Sequence, residues 1–147
     1  MERDESLARL RSARVGRLAT LTPEGTPHVV PFVFVVVDRG TATRLYWMVD
    51  EKPKRSKELQ RLRNIEHQPA VELVVDEYDE DWSQLWWVRA RGSARVVVEA
   101  DERDAALGLL RGKYPQYEST EDPGLVVAIE VEAITGWDST AGSAEQE

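Results

Sequence analysis

Residues 29–37 read VVPFVFVVV, nine apolar residues in a row with one proline among them. The run is far below the roughly 20 residues of a membrane-spanning helix, and its valines and phenylalanines favour a β-strand. Apolar side chains at every position imply a strand covered on both faces, as in a barrel or at a subunit contact. Pro31 lacks an N–H for a ladder, so it belongs at a sheet edge or a bulge. The missing donor leaves a gap where a flat ligand can approach the backbone, although an ordinary edge proline explains the same residue.

Working outward, Val15, Arg17, Ala19 and Leu21 alternate with Gly16, Leu18 and Thr20, and TPEGT supplies turn residues before His28. Residues 15–21 and 28–37 therefore form a hairpin. Leu7 and Leu10, three apart among charged residues, predict a short packing helix over 4–13. After the turn DRGTA, residues 43–49 make a third strand, which leads into LYWMVDEKPKRSKELQRLR at 45–63. This stretch reads as strand, cationic turn and helix. Lys52, Lys54, Arg55, Lys57, Arg61 and Arg63 are opposed only by Glu58 between positions 52 and 63, in a protein of net charge -8. Pro53 suits a first helical turn, whose free amides and dipole favour an anion. The segment is either a phosphate clamp or a solvated basic helix face, and charge alone leaves both open.

The helix carries Leu59, Leu62 and Ile65 as a docking stripe, with Arg61 and Arg63 facing elsewhere, and Pro69 ends it. Residues 70–75 are a fourth strand, followed by the acidic loop DEYDED. Residues 85–98 form a long strand with a bulge at Gly92, placing Trp87, Arg89 and Arg91 on one side and Trp86, Val88 and Ala90 on the other. A second amphipathic helix spans 99–112, with Leu107, Leu109 and Leu110 apolar and a stop at Gly112. KYPQYESTEDPG is a loop, and LVVAIEVEAI at 125–134 is the last strand. The fold class is mainly β with flanking helices, a closed or split β-barrel of about six strands forming one domain over 1–137. The polar tail 138–147 is expected to be disordered.

Composition narrows the chemistry. The chain of 147 residues has no cysteine, so disulfides, thiolate catalysis and Cys-ligated metals are out, and no metal site is expected. His28 and His67 are not in ligand spacing, and a Ser-His-Asp triad is improbable. The acidic balance speaks against nucleic acid, and the apolar runs are too short for a membrane span. A charged start without an apolar leader core predicts a cytoplasmic protein. Gly-rich dinucleotide and phosphate loops are missing. What remains is chemistry done by a bound cofactor, with the protein positioning reactants and excluding water.

The hairpin GRLATLTPEGTPHVVPFVF, the strand and turn LYWMVDEKPKR, the segment NIEHQPAVELVVDEYDEDW, the strand LWWVRARGSARVV and the loop KYPQY together resemble the pyridoxamine phosphate oxidase-like flavin-binding split barrels. DEYDEDW and LWWVRA resemble more narrowly the actinobacterial branch of deazaflavin (coenzyme F-420) dependent oxidoreductases. The resemblance implies a homodimer with cofactor sites at the subunit interface. It implies that the ring lies against Val30, Pro31, Phe32 and Val33, and that the phosphate end is held by Lys52, Lys54, Arg55 and Lys57. Met48 is implied beside the cofactor, and Trp86 or Trp87 walls the site. Val30 stands where the pyridoxamine phosphate oxidases themselves use an arginine, which speaks against vitamin B6 oxidation. The implied reaction is hydride transfer to an unsaturated small molecule, with Tyr78, Trp82, Trp86 and Arg89 as substrate-side candidates and Arg91 beside them; the catalytic proton donor is unassigned. His28, on a solvent-prone turn, is not expected to be catalytic. An FMN-dependent oxidoreductase on the same barrel and a non-catalytic flavin or deazaflavin carrier are the alternatives.

Overall fold

The computed structural model describes residues 1–49, 56–119 and 124–140, with backbone alone at 56–59 and 119. The described elements are α1 (Arg3–Ser12), β1 (Gly16–Leu21), β2 (Pro27–Phe32), β3 (Val35–Asp38), β4 (Thr43–Met48), α2 (Ser56–His67), β5 (Ala70–Glu77), β6 (Trp86–Val96), α3 (Ala100–Lys113) and β7 (Val126–Asp138). Short 3-10 turns lie at Trp82–Gln84 and Pro115–Ser119. The strands form one sheet in the order β2-β1-β5-β6-β7-β4-β3, antiparallel throughout.

The apolar run that reads as one strand is two. β2 ends at Phe32 and β3 starts at Val35, so seven strands replace the expected six or so. These strands are the opposite ends of the sheet order, yet Phe32 and Val35 are three residues apart, a span of at most about 11 Å. A sheet whose ends are tied that closely must curl into a barrel. Its interior holds Leu18, Phe32, Phe34, Leu45, Trp47, Leu73, Val75, Val88, Val127 and Ile129, all buried. Phe32 stacks on Phe34 at 5.0 Å and meets Trp47 edge-on at 5.5 Å.

Residues from far along the chain hold the break. Lys113 Nζ donates to the carbonyls of Phe34 at 2.9 Å, Ala13 at 2.7 Å and Arg11 at 3.1 Å. The Tyr114 hydroxyl accepts from the Phe34 N–H at 3.3 Å and lies 3.1 Å from the Phe34 carbonyl. Arg14 in turn donates to the Lys113 carbonyl at 2.8 Å. Backbone groups that a continuous ladder would have paired are thus satisfied by side chains. Burial, with the charge of Arg14, pushes Lys113 down to about 8.

The helices cover different parts of the barrel. Leu10 of α1 enters the interior core. The Ala106, Leu107 and Leu110 side chains of α3 pack with Tyr46, Met48, Val126 and Ala128 on the outside of β4 and β7. Leu109 is 48% exposed and lies off that stripe, and α3 runs through Gly112 to Lys113, since Tyr114 supplies the extended cap. Helix α2 joins β4 to β5, with Ile65 in the interior core and Asn64 donating to Thr20 Oγ1 at 2.9 Å. Arg61, expected to face outward, is buried, only 8% exposed, because the packed face of α2 includes Arg61 and Asn64 beside Ile65.

The register shifts between Arg91 and Gly92, as expected of a bulge there; Arg91 faces Ala133 and Gly92 faces Val131, so Glu132 of β7 is the residue left over. The Glu130 carbonyl oxygen occupies the place where a side chain at Gly92 would begin. Strand β5 continues into the acidic loop as far as Glu77, and β7 runs past Ile134 to Asp138, which is 8% exposed. The tail at 141–147 lies outside the described residues.

Candidate functional site

Of the cationic segment, Lys52, Lys54 and Arg55 lie outside the described residues, and Lys57 is described by its backbone in the first turn of α2. The phosphate-clamp residues therefore carry no geometry. The expected ring-contact residues do. Val30 is half-buried opposite Leu18, Pro31 is exposed opposite Arg17, and Phe32 is 5% exposed with its ring in the barrel core. What Phe32 can offer a ligand is backbone. Val33 is half-buried in the break between β2 and β3. Met48 is 8% exposed, and its side chain is covered by the α3 cluster.

Strand pairing sets these residues on a common outer face. Pro31 pairs with Arg17, Arg17 with Val74, Val74 with Arg89, and Arg89 with Thr135. The next row is Val29, Ala19, Glu72, Arg91 and Ala133. In a neighbouring row Trp87 lies between Asp76 and Trp137. Pro31 and Arg89 are three strands apart, about 14 Å at the usual spacing. Pro31 sits on an edge strand, where its missing N–H breaks no ladder. Val29 is 61% exposed and Val15 42%, whereas Trp87 and Trp137 are half-buried. The α3 cluster covers β3, β4 and β7, and no described helix makes a comparable apolar cluster on the outside of β2, β1 and β5.

Charges on this face are partly matched. Arg89 lies 5.2 Å over the Trp87 ring and pairs with Glu72 at 3.3 Å. Trp86 points the other way, packs on the barrel core, and carries the Arg9 guanidinium at 4.8 Å from its ring. The two tryptophans thus serve different surfaces. Beside Trp86 is a cavity of about 460 Å3 whose walls include Glu5, Arg9, Glu77, Asp79 and Asp138. Arg9 is tied to Glu5 at 2.8 Å, and the excess of carboxylates makes this cavity unfit for a phosphate.

Tyr78 and Trp82, 63% and 66% exposed, are joined by Trp82 Nε1 donating to the Tyr78 hydroxyl at 3.3 Å. Asp81 accepts from the Ser83 hydroxyl at 2.7 Å and its amide at 3.1 Å, which lowers its carboxyl below the ordinary range and shapes the turn carrying Trp82. Of the expected substrate-side residues, Tyr78 and Trp82 thus touch each other, Arg89 lies over Trp87, which was expected beside the cofactor, and Trp86 is separate from both groups. His28 lies within β2 opposite Thr20, not on a turn, and its Nδ1 is enclosed without a partner. Arg17 and Trp137 were missed as members of the face; alternation through 15–21 sets Arg17 beside Ala19 and Leu21 but only the strand register puts it in the row of Pro31 and Val74, and a bulge at Glu132 resets the alternation of β7 before Trp137. Among the described residues no group of three or more acids or histidines is placed to hold a metal, and no helix is long and apolar enough to cross a membrane.

The model of the family described as pyridoxamine 5'-phosphate oxidase matches residues 3–138. Among solved structures, a conserved protein of unknown function from Corynebacterium diphtheriae is 26% identical with a TM-score of 0.70, the match covering 92% of this chain and 93% of that one. A conserved hypothetical protein from Mycobacterium tuberculosis is 21% identical, TM-score 0.76, with 100% and 91% covered. An FAD-binding protein from Mesorhizobium loti is 22% identical, TM-score 0.68, with 92% and 94% covered. No curated protein sequence matches the chain.

Proposed function

Because the chain belongs to the pyridoxamine 5'-phosphate oxidase family, we propose that it is an oxidoreductase using the deazaflavin coenzyme F-420, bound where two copies of the chain meet. The observation that carries the proposal is the open outer face on which exposed Pro31 shares a row with Arg89, about 14 Å across the sheet, with Trp87 in the neighbouring row. It supports a flat ring: an edge strand without a donor at Pro31, apolar Val29 beside it, and an aromatic wall across the face. When bound, the coenzyme supplies a hydride to an unsaturated small molecule.

The protein's own residues do the rest. Val30, Pro31 and Val33 set the edge against which a ring lies, and Phe32 fixes that edge by anchoring in the core. Lys52, Lys54, Arg55 and Lys57 hold the phosphate end, and Met48 stiffens the strand leading to them. Trp87 and Arg89 bound the open side, while Tyr78 and Trp82 offer exposed aromatic surface to a substrate. A second copy covering the outer face would exclude water from the reacting centre.

Separate titrations with F-420 and with FMN, read by tryptophan fluorescence and heat, test the cofactor. Tighter binding of F-420 supports the proposal. Preference for FMN replaces it with an FMN-dependent oxidoreductase, and saturable binding of neither removes the flavin reading. Reversing charge with Arg55→Glu is expected to weaken either cofactor about tenfold or more, the loss of a charge-assisted hydrogen bond with added repulsion. Unchanged affinity would exclude Arg55 from the clamp.

The dimer has its own test. Val29→Glu places a carboxylate on an already exposed position, so the fold tolerates it, but burial against a second copy is costly. Sedimentation is expected to show a dimer for the parent chain and a monomer for the variant. A dimer in both would move the contact to another face.

A further inference from the structure

On the outer face, where β2, β1, β5 and β6 lie side by side, is a depression of about 240 Å3 lined by Ala19, Thr20, Leu21, Pro27, Ala70, Val71, Glu72 and Arg91. Five of these are apolar, and the other three differ in what they have left to offer. Thr20 is 2% exposed, and its hydroxyl oxygen accepts from Asn64 Nδ2. The Glu72 carboxylate pairs with Arg89 at 3.3 Å. Arg91 is directly opposite Glu72 in register but has no hydrogen-bond or ion-pair partner among the described residues. The wall thus presents hydrocarbon and one uncommitted guanidinium.

We propose that this depression binds a small apolar carboxylate, with Arg91 taking the carboxylate and the Ala19, Leu21, Pro27 and Ala70 wall taking the hydrocarbon body, above Val71, whose side chain turns into the barrel core. Charge complementarity selects the occupant. A planar guanidinium presents two parallel N–H groups that match a carboxylate in a forked pair. A ligand lacking the anion would leave Arg91 unused, and one lacking the apolar body would gain nothing from Ala19, Leu21, Pro27 and Ala70. A cation is disfavoured by Arg91 itself, since Glu72, the carboxylate in the described wall, is engaged by Arg89.

The place of the depression gives it a role. Ala19 pairs with Val29, one residue before the stretch proposed to carry the coenzyme ring. Resting on that cofactor reading, the depression is the anchor for an unsaturated carboxylic acid whose double bond projects toward the ring. Arg91 is then a substrate-binding residue that selects acids over their neutral analogues.

Binding can be read without the coenzyme, so failure here is distinguishable from failure of the cofactor proposal. Amide chemical shifts of the full-length protein would be followed while trans-cinnamate or uncharged cinnamamide is added. The expected result is saturable cinnamate shifts at Ala19, Leu21, Ala70 and Val71, with cinnamamide bound about tenfold or more weakly. Arg91→Gln should weaken cinnamate about tenfold or more, while Arg17→Gln, one row away on the same face, leaves it within about twofold. Saturation at other residues, equal affinity for acid and amide, or Arg91→Gln binding like the parent would each overturn the assignment, as would absence of saturable binding. If F-420 fails to bind but cinnamate behaves as expected, the acid site stands and its place beside a ring falls.

Discussion

Replacing Gly92 by valine is expected to lower the melting temperature by roughly 10–20 °C, corresponding to about 3–5 kcal/mol in a domain of this size. The cause is a backbone approach. At the register shift in β6 and β7, the Glu130 carbonyl oxygen lies where the first side-chain carbon of residue 92 would go, and the Ile129 side chain is close by. A clash with a flexible side chain could be relieved by a rotamer change, but this one is with main chain in the most extensively paired part of the sheet. Relief requires β7 to move, which would also disturb its ladder with β4. Most of the loss should already appear in Gly92→Ala, since the first carbon makes the contact. Gly108 provides the opposite expectation in the same protein. It is a helical glycine in α3 with open space around its missing side chain, so Gly108→Ala should gain about 0.5–1 kcal/mol. Thermal melts followed by circular dichroism would separate the cases. A Gly92→Ala melt equal to the parent's would mean that β7 yields freely at Glu130 and that the glycine is not needed there.

Gly92 was legible in the sequence because a glycine interrupting an otherwise alternating strand has few explanations. Much of the barrel was legible for the same reason: the hairpin of 15–21 with the following strand, the alternation of Trp87, Arg89 and Arg91 against Trp86, Val88 and Ala90, and the two longer helices all follow from side-chain period. The break at Val33 and Phe34 was not. Every residue from 29 to 37 is apolar, so a change of direction leaves no trace in the pattern. The groups that stabilise it, Lys113 and Tyr114, are about eighty positions away and read locally as the start of a loop. Arg61 failed for a related reason. A charged residue beside an apolar stripe reads as solvent-facing, but α2 turns Arg61 and Asn64 inward together, with Asn64 meeting buried Thr20.

Site residues divided along the same line. Contacts within one strand or turn were recoverable: Trp87 and Arg89 are two apart on β6, and Tyr78 and Trp82 share one turn. The outer face was not, because it depends on register among β2, β1, β5 and β6, which brings Pro31 into a row with Arg17, Val74 and Arg89. Composition could name Arg91 as basic. Only the pairing of Glu72 with Arg89 leaves Arg91 as the uncommitted cation of the depression.

Acid should weaken the protein through Glu102, and Glu102→Gln should remove much of that sensitivity. Glu102, on α3, accepts two bonds from Arg95 at 3.0 and 2.9 Å and one from the Tyr46 hydroxyl at 2.7 Å. Arg44 stands 3.6 Å away, and Glu130 completes the group, 2.7 Å from Arg95 and 2.8 Å from Arg44. The cluster fastens α3 to the outside of β4, β6 and β7. Arg95, chiefly, holds the Glu102 carboxyl down at about 2 against the opposing effect of its burial. At Glu130 burial acts upward, but Arg95 and Arg44 outweigh it and leave that carboxyl lowered too. A carboxyl lowered in the folded state contributes stability that is complete above its ordinary value of 4.5 and disappears as pH falls toward about 2. Over that interval the contribution is about 3 kcal/mol before screening, or roughly 2 kcal/mol allowing for a side chain still 16% exposed. Glu102→Gln is therefore expected to cost roughly 2–3 kcal/mol at pH 7, because Glu130 is then the one carboxylate of the cluster shared by Arg95 and Arg44. Between pH 4.5 and 2 its stability should fall less steeply than the parent's, by roughly the same 2 kcal/mol. Urea unfolding of both proteins at pH 7, 4.5, 3 and 2 would measure the difference. Parallel pH profiles would show that Glu102 titrates normally and that the charged cluster does not fasten α3 to the barrel.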